Sequence, residues 1–167
     1  FYLDLGFTLP EVAEVRKIFG VVATMAGIFT GGWAVARLGL MRALLLGALG
    51  GPLSNLVFFW LATRGHDVPS LFVAISLDNA FGGFSATCLI AYMSSLTTAG
   101  FTATQYALLS SVPQLAIHTI GAQSGKLVAA VGWTEFYALC IVTALPAMGL
   151  MLYLLRKCPP EDAVAKA

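Results

Sequence analysis

The part of this sequence best suited to chemistry is a set of polar side chains inside an apolar run at 71–93. Asp78, Gly82, Ser85 and Tyr92 recur at spacings of 4, 3 and 7 residues. In a helix that spacing places all of them on one face, with Asn79 and Gly83 one position round. An ionisable group at the centre of a bilayer costs roughly 2.5–3.5 kcal/mol or more. A face carrying Asp78 is therefore expected to look onto protein or water and not onto lipid. Asp78 lies about seven residues into its run, or about 10 Å from one end at the helical rise per residue. Two readings stay open: the carboxylate titrates on a transport route, or neighbouring donors simply satisfy it.

A second polar stripe follows at Thr104, Ser111, Gln114, His118, Gly121 and Gly125. His118 lies about 8 Å from the same end of its run. The two runs are antiparallel neighbours, so Asp78 and His118 are expected at comparable depth. Because histidine titrates near neutrality, the two are expected to form a protonatable pair; the alternative is that His118 only bonds between helices. Asn55 is read mainly as interhelical glue, with a solute contact as the other possibility. There is no GxSxG, HExxH, CxxC or phosphate loop, so no enzyme is expected and no cofactor is called for. His66 and His118 are too far apart for an ordinary metal site.

These residues need elements to hold them, and the composition says which. Of 167 residues, 59% are hydrophobic and only 10% charged, and the mean hydropathy is +0.87. A soluble domain carries about 25% charged residues, so an all-α membrane protein is expected. The net charge of +1 gives no field for nucleic acid. Cys88 and Cys140 lie in apolar runs as small hydrophobes, and with Cys158 they make no disulfide framework. Five runs are long enough to cross a bilayer as helices, at about 18–35, 43–62, 71–93, 103–123 and 136–155. Residues 1–17 precede them and a polar tail, 158–167, follows; the opening residues carry no basic leader and read as the tail of an earlier element. Thr8-Leu9-Pro10-Glu11 and Thr102-Ala103-Thr104-Gln105 have the pattern of capping boxes. Pro69-Ser70 is expected to open the third run and Thr134 to cap the fifth. Gly27/Gly31, Gly47/Gly51 and Gly121/Gly125 have the GxxxG spacing that lets helices approach. Arg37, Arg42, Arg156, Lys157 and Lys166 fall on one side and Arg16, Lys17, Arg64 and Lys126 on the other. The first group is assigned to the cytoplasm, which puts the first residue outside and the last inside.

Gly32-Trp33-Ala34-Val35-Ala36-Arg37-Leu38-Gly39-Leu40-Met41-Arg42 resembles the cytoplasmic loop motif of the major facilitator superfamily, Gly-x-x-x-Asp-Arg-x-Gly-x-x-Arg/Lys. Gly32, Arg37, Gly39 and Arg42 match; the family's acid is Ala36 here. With four runs following, the motif corresponds to its second copy, so the five runs resemble helices eight to twelve of a twelve-helix fold. Within the superfamily the chain resembles the AmpG-type muropeptide permeases. Glu14–Gly20, Asp78–Gly83, Phe101–Ser110 and Gly132–Tyr137 carry that likeness.

The resemblance implies proton-driven import of anhydro-muropeptides (GlcNAc-anhydroMurNAc peptides) across the bacterial inner membrane by alternating access. It implies a cavity to which Asn79, Ser85, Tyr92, Ser111 and Gln114 would contribute, with Asp78 and His118 coupling protons. The partners implied are a small glycopeptide, protons, the lipid bilayer and an N-terminal half of the same transporter. Rival readings are a carrier of the same fold for acetyl-CoA, peptides or siderophores, and a non-transporting membrane scaffold.

Overall fold

The computed structural model describes residues 1–97 and 102–157. The expected polar tail, 158–167, and residues 98–101 lie outside them. Every regular element among the described residues is helical. Thr8 and Glu11 form the expected capping box: the Glu11 carboxylate accepts from the Thr8 amide at 2.7 Å, and the Thr8 hydroxyl oxygen accepts from the Glu11 amide at 3.5 Å. This starts α1 (Leu9–Val15), which passes through a π-helical turn (Arg16–Gly20) into α2 (Val21–Leu38). Then come α3 (Leu40–Arg64), α4 (Val68–Ser95), α5 (Thr102–Val131) and α6 (Trp133–Lys157).

The helices run past the apolar stretches that mark them. Hydropathy counting stops at the first charge, whereas backbone hydrogen bonding continues into the interface. The connectors expected at 36–42 and 124–135 are thus almost wholly helical, each broken at a single glycine. Gly39 has φ 84° and ψ 157°, and Gly132 has φ 86°. Gly39 falls in a region that is essentially glycine-only, which is the physical reason for a glycine at that position of the loop motif. Two expected starts move. Asp67, not Pro69-Ser70, caps α4 by accepting from the Ser70 amide at 3.3 Å. Thr134 does not cap α6, because Phe136 already donates to the Gly132 carbonyl at 3.1 Å.

Among the described residues, four helical stretches are long and apolar enough to cross a bilayer: Leu9–Leu38, Leu40–Arg64, Val68–Ser95 and Trp133–Tyr153. The 30-residue α5 has the length, but its polar stripe lowers its hydropathy and it is not one of the four.

Helix α4 is central. It packs along α2 on one side and α3 on the other, and α6 packs on the far side of α3. Glycine decides how closely the helices approach. A Cβ on Gly27 would run into the Ala80 carbonyl, and one on Gly83 into the Thr24 carbonyl. Gly31 is the next step of the α2 contact, 3.0 Å from the Phe84 carbonyl by the same measure. In α3 the approach uses Gly47 and Gly50, whose added Cβ atoms would lie 3.3 Å from Ser85 Cα and 2.9 Å from Ser85 Oγ. The expected partner of Gly47, Gly51, meets nothing within 4 Å, and neither do Gly121 and Gly125. Those spacings are GxxxG in sequence without being packed interfaces among the described residues. Helix α5 touches only α4 and α6 there, and sparsely.

The first eight residues fold back over one end of the bundle. Phe7 is buried with Leu61, Leu71 and Ile75. Phe1 packs edge-on against Phe58 and Tyr137, with centroids 5.8 and 5.2 Å away. The Trp133 indole donates to Asp4 at 2.8 Å, and His66 pairs with Glu11 at 3.6 Å. These contacts tie the entry segment and α1 to α3, α4 and α6.

Candidate functional site

Asp78 lies about three turns into α4, on the side facing α3. The Ser54 hydroxyl donates to its Oδ1 at 2.5 Å. Ser54 is buried and Asp78 half-buried. Around them is a cleft of about 300 Å³ lined by Gly50, Gly51, Ser54, Asn55, Asp78, Phe81, Gly82 and Ser85. The face of Asp78, Gly82 and Ser85 read from the sequence supplies the α4 wall, and Gly50, Gly51, Ser54 and Asn55 supply the α3 wall. The Ser85 hydroxyl donates to the Gly47 carbonyl at 2.6 Å and so bonds the two helices just beyond the carboxylate. The acid is tied to one partner and open to the cleft.

The charge of Asp78 also reaches Tyr2 in the entry segment. Burial pushes the Tyr2 phenol up, the Arg16 guanidinium opposes this, and the Asp78 carboxylate adds to it.

The other expected site residues divide. Asn79 points the other way, towards α2: it accepts from the Thr24 hydroxyl at 3.2 Å and donates to the Ile75 carbonyl at 2.7 Å. Tyr92 is half-buried on α4 and is not part of the cleft wall. Ser111, Gln114 and His118 are exposed on α5, and Ser111 donates to its own helix at the Leu108 carbonyl, 2.8 Å away. No ion pair or hydrogen bond joins His118 to Asp78 among the described residues. Gly32, Arg37, Gly39 and Arg42 lie together around the single-residue link between α2 and α3, with both arginines exposed.

Sequence reasoning did not assign Ser54 as the partner of Asp78, and it read Asn55 mainly as glue. The available signal was the small-residue periodicity of α3, with Gly47, Gly50 and Ser54 at helical spacing, complementary to Ser85 and Asp78 on α4. A larger opening of about 650 Å³ between α5 and α6 is mostly apolar, carries no acid, and includes Lys126 and Cys140 in its wall. Among the described residues no three His, Cys, Asp or Glu side chains cluster as metal ligands.

No family model matches the chain. Curated proteins do. The chain is 36% identical over 157 residues to "Putative transporter AmpG 4" of Rickettsia conorii, covering 94% of this chain and 38% of that protein. It is 33% identical over 148 residues to the "Anhydromuropeptide permease" of Escherichia coli K12, covering 89% of this chain and 30% of that protein. A likeness of 29% over 157 residues joins it to "Putative transporter AmpG 1" of Rickettsia felis. The chain thus spans less than two fifths of the length of these relatives.

Proposed function

Because the chain belongs, by homology along 94% of its residues, to the AmpG-type permeases, we propose that it acts in a proton-coupled carrier importing anhydro-muropeptides across the bacterial inner membrane. The five helices α2 to α6 would correspond to helices eight to twelve, with the Arg37–Arg42 link on the cytoplasmic face. The remaining length of the relatives would supply the opposite wall of the route, and α5 would turn its polar stripe towards it. Such a partner accounts physically for a helix whose exposed face carries Ser111, Gln114 and His118.

The observation that carries this reading is the Asp78 carboxylate, held by Ser54 and open to a polar cleft inside a membrane helix. An acid inside a membrane helix is costly, and acids kept there commonly mark solute or proton routes. Ionised, it accepts from Ser54 across the α3–α4 boundary. Protonated, it loses its charge and can itself donate. The two forms make different contacts with α3, and a proton shifts a conformational equilibrium only through such a difference. Alternating access would follow from rocking of this part against the rest of the carrier. His118, exposed on α5, would act as a separate proton acceptor.

Among the described residues no Lys or Arg lines the cleft. This favours a hydroxyl- and amide-rich solute over a phosphate-rich one such as acetyl-CoA, whose phosphates call for charge pairing. The test is uptake of radiolabelled GlcNAc-anhydroMurNAc-tripeptide by cells expressing the native protein, with acetyl-CoA and a siderophore as competitors. Accumulation of the muropeptide that neither competitor reduces is expected. Accumulation of a competitor in its place would shift the reading to another carrier, and absence of any uptake would favour a scaffold.

A further inference from the structure

We propose that the π-helical turn at Arg16–Gly20 is a hinge, about which the end of the bundle under the entry segment tilts against the rest, and that Thr24 and Asn79 couple this hinge to α4. The inference deepens the carrier reading and rests on it.

The backbone from Leu9 to Leu38 is helical throughout, and Val15, Arg16, Gly20 and Val21 all keep right-handed helical angles. The turn is therefore a widened piece of one long helix and not a break in it. Such i→i+5 turns are rare, hold one residue more than the α-helix they interrupt, and occur frequently at functional sites.

The two sides of the turn are fixed to different stretches of α4. On the α1 side, Val12 is buried with Phe7, Leu71 and Ile75, and Glu11 pairs at 3.6 Å with His66, between α3 and α4. On the α2 side the contact is backbone on backbone. A Cβ on Gly27 would run into the Ala80 carbonyl, and one on Gly83 into the Thr24 carbonyl. Helix α1 thus follows α4 as far as Ile75, and α2 follows it from Ala80 onwards. The π-turn lies between the first pair of anchors and the second, and on α4 Asn79 lies between the same two.

Asn79 bonds across that boundary. Its amide donates to the Ile75 carbonyl at 2.7 Å, and its oxygen accepts from the Thr24 hydroxyl at 3.2 Å. The same hydroxyl is 2.8 Å from the carbonyl of Gly20, the last residue of the π-turn. A hydroxyl has a single proton, so Thr24 serves the turn or Asn79, and a threonine bonded back to the carbonyl four residues earlier tends to bend its helix. Asp78, the residue before Asn79, bonds to α3. A change in the contacts of Asp78 therefore acts on the stretch of α4 that holds the turn. The yielding point lies beside the acid, and the close-packed α2–α4 contact beyond it moves as one body.

The experiment measures uptake of radiolabelled GlcNAc-anhydroMurNAc-tripeptide by cells expressing the full-length native protein, with thermal unfolding of the purified protein as the structural readout. Deleting Ile18, which belongs to neither buried cluster, removes the extra residue and closes the turn into α-helix. The maximal rate per inserted protein is expected to fall about tenfold or more, as when a conformational step is slowed, while the melting temperature holds or rises. Gly20→Ala, whose Cβ would meet the Asn79 amide at an ordinary 3.5 Å, stiffens the turn and keeps its length. It is expected to lower the rate less, again without loss of melting temperature, and it decides the matter if the deletion variant does not reach the membrane. A wild-type maximal rate in the inserted variants overturns the proposal. So does a rate that falls only in step with the melting temperature, which would make the turn a packing feature. If the wild type takes up no muropeptide, the carrier reading fails and the hinge with it; if the wild type transports and the variants match it, the hinge alone fails.

Discussion

Ser54 on α3 donates its hydroxyl proton to Asp78 on α4 across 2.5 Å, and this bond closes one side of an otherwise open polar cleft. It satisfies an acid inside a membrane helix and also joins α3 to α4. Removing the hydroxyl separates the two roles. Ser54→Ala is expected to lower stability by about 1 kcal/mol, between the roughly 0.6 typical of interhelical bonds in membranes and the 1.5–3 of bonds to charged groups. Thermal unfolding in detergent measures this. No loss of stability would mean that water replaces the serine at no cost.

Asn79 is expected to behave as a packing residue. Its amide is used up between Thr24 and the Ile75 carbonyl, so Asn79→Leu should lower the melting temperature and leave the solute KM unchanged. A raised KM with unchanged melting would return Asn79 to the solute route.

Close approach of α2 and α4 depends on glycine at two positions whose Cβ would meet a backbone carbonyl. Backbone cannot rotate away as a side chain can. Gly27→Leu and Gly83→Leu are each expected to cost at least the roughly 1–3 kcal/mol of an overpacked core, seen as loss of folded protein from the membrane fraction. Gly51→Leu, at an open position, should leave the folded amount intact.

The α2–α3 link imposes its own requirement. Gly39 has φ 84° and ψ 157°, so Gly39→Ala should cost on the order of 1–3 kcal/mol in backbone strain, measurable as a lower melting temperature. Gly32→Ala, where a Cβ meets nothing, should cost nothing.

Much of this was legible in the sequence, for identifiable reasons. The helices were readable because uninterrupted apolar runs have one solution in lipid. The first cap was readable because Thr8 and Glu11 stand three residues apart, and a reciprocal pair needs nothing else. The face of Asp78, Gly82 and Ser85 followed from helical spacing. Partnership did not. Periodicity gives the face a residue occupies but not the helix opposite, so Asp78 was matched with His118, on the helix next in sequence, when its bonded partner is Ser54, on the helix before. The Gly27/Gly31 spacing marks a packed contact, but the Gly47/Gly51 spacing does not: Gly47 packs with Gly50 in place of Gly51, because which of two neighbouring glycines meets α4 depends on the crossing geometry. Helix ends were short in the reading because a charge ends an apolar run without ending a hydrogen-bonded ladder.

The central claim is that titration of Asp78 drives transport. It is tested most directly by muropeptide uptake into energised vesicles containing the native protein, with and without an inward proton gradient, comparing wild type with Asp78→Asn. The wild type is expected to accumulate solute above equilibrium when the gradient is imposed. The asparagine variant, inserted in equal amount, is expected to equilibrate solute at most and to show no response to the gradient. Gradient-driven accumulation by Asp78→Asn at the wild-type level would contradict it.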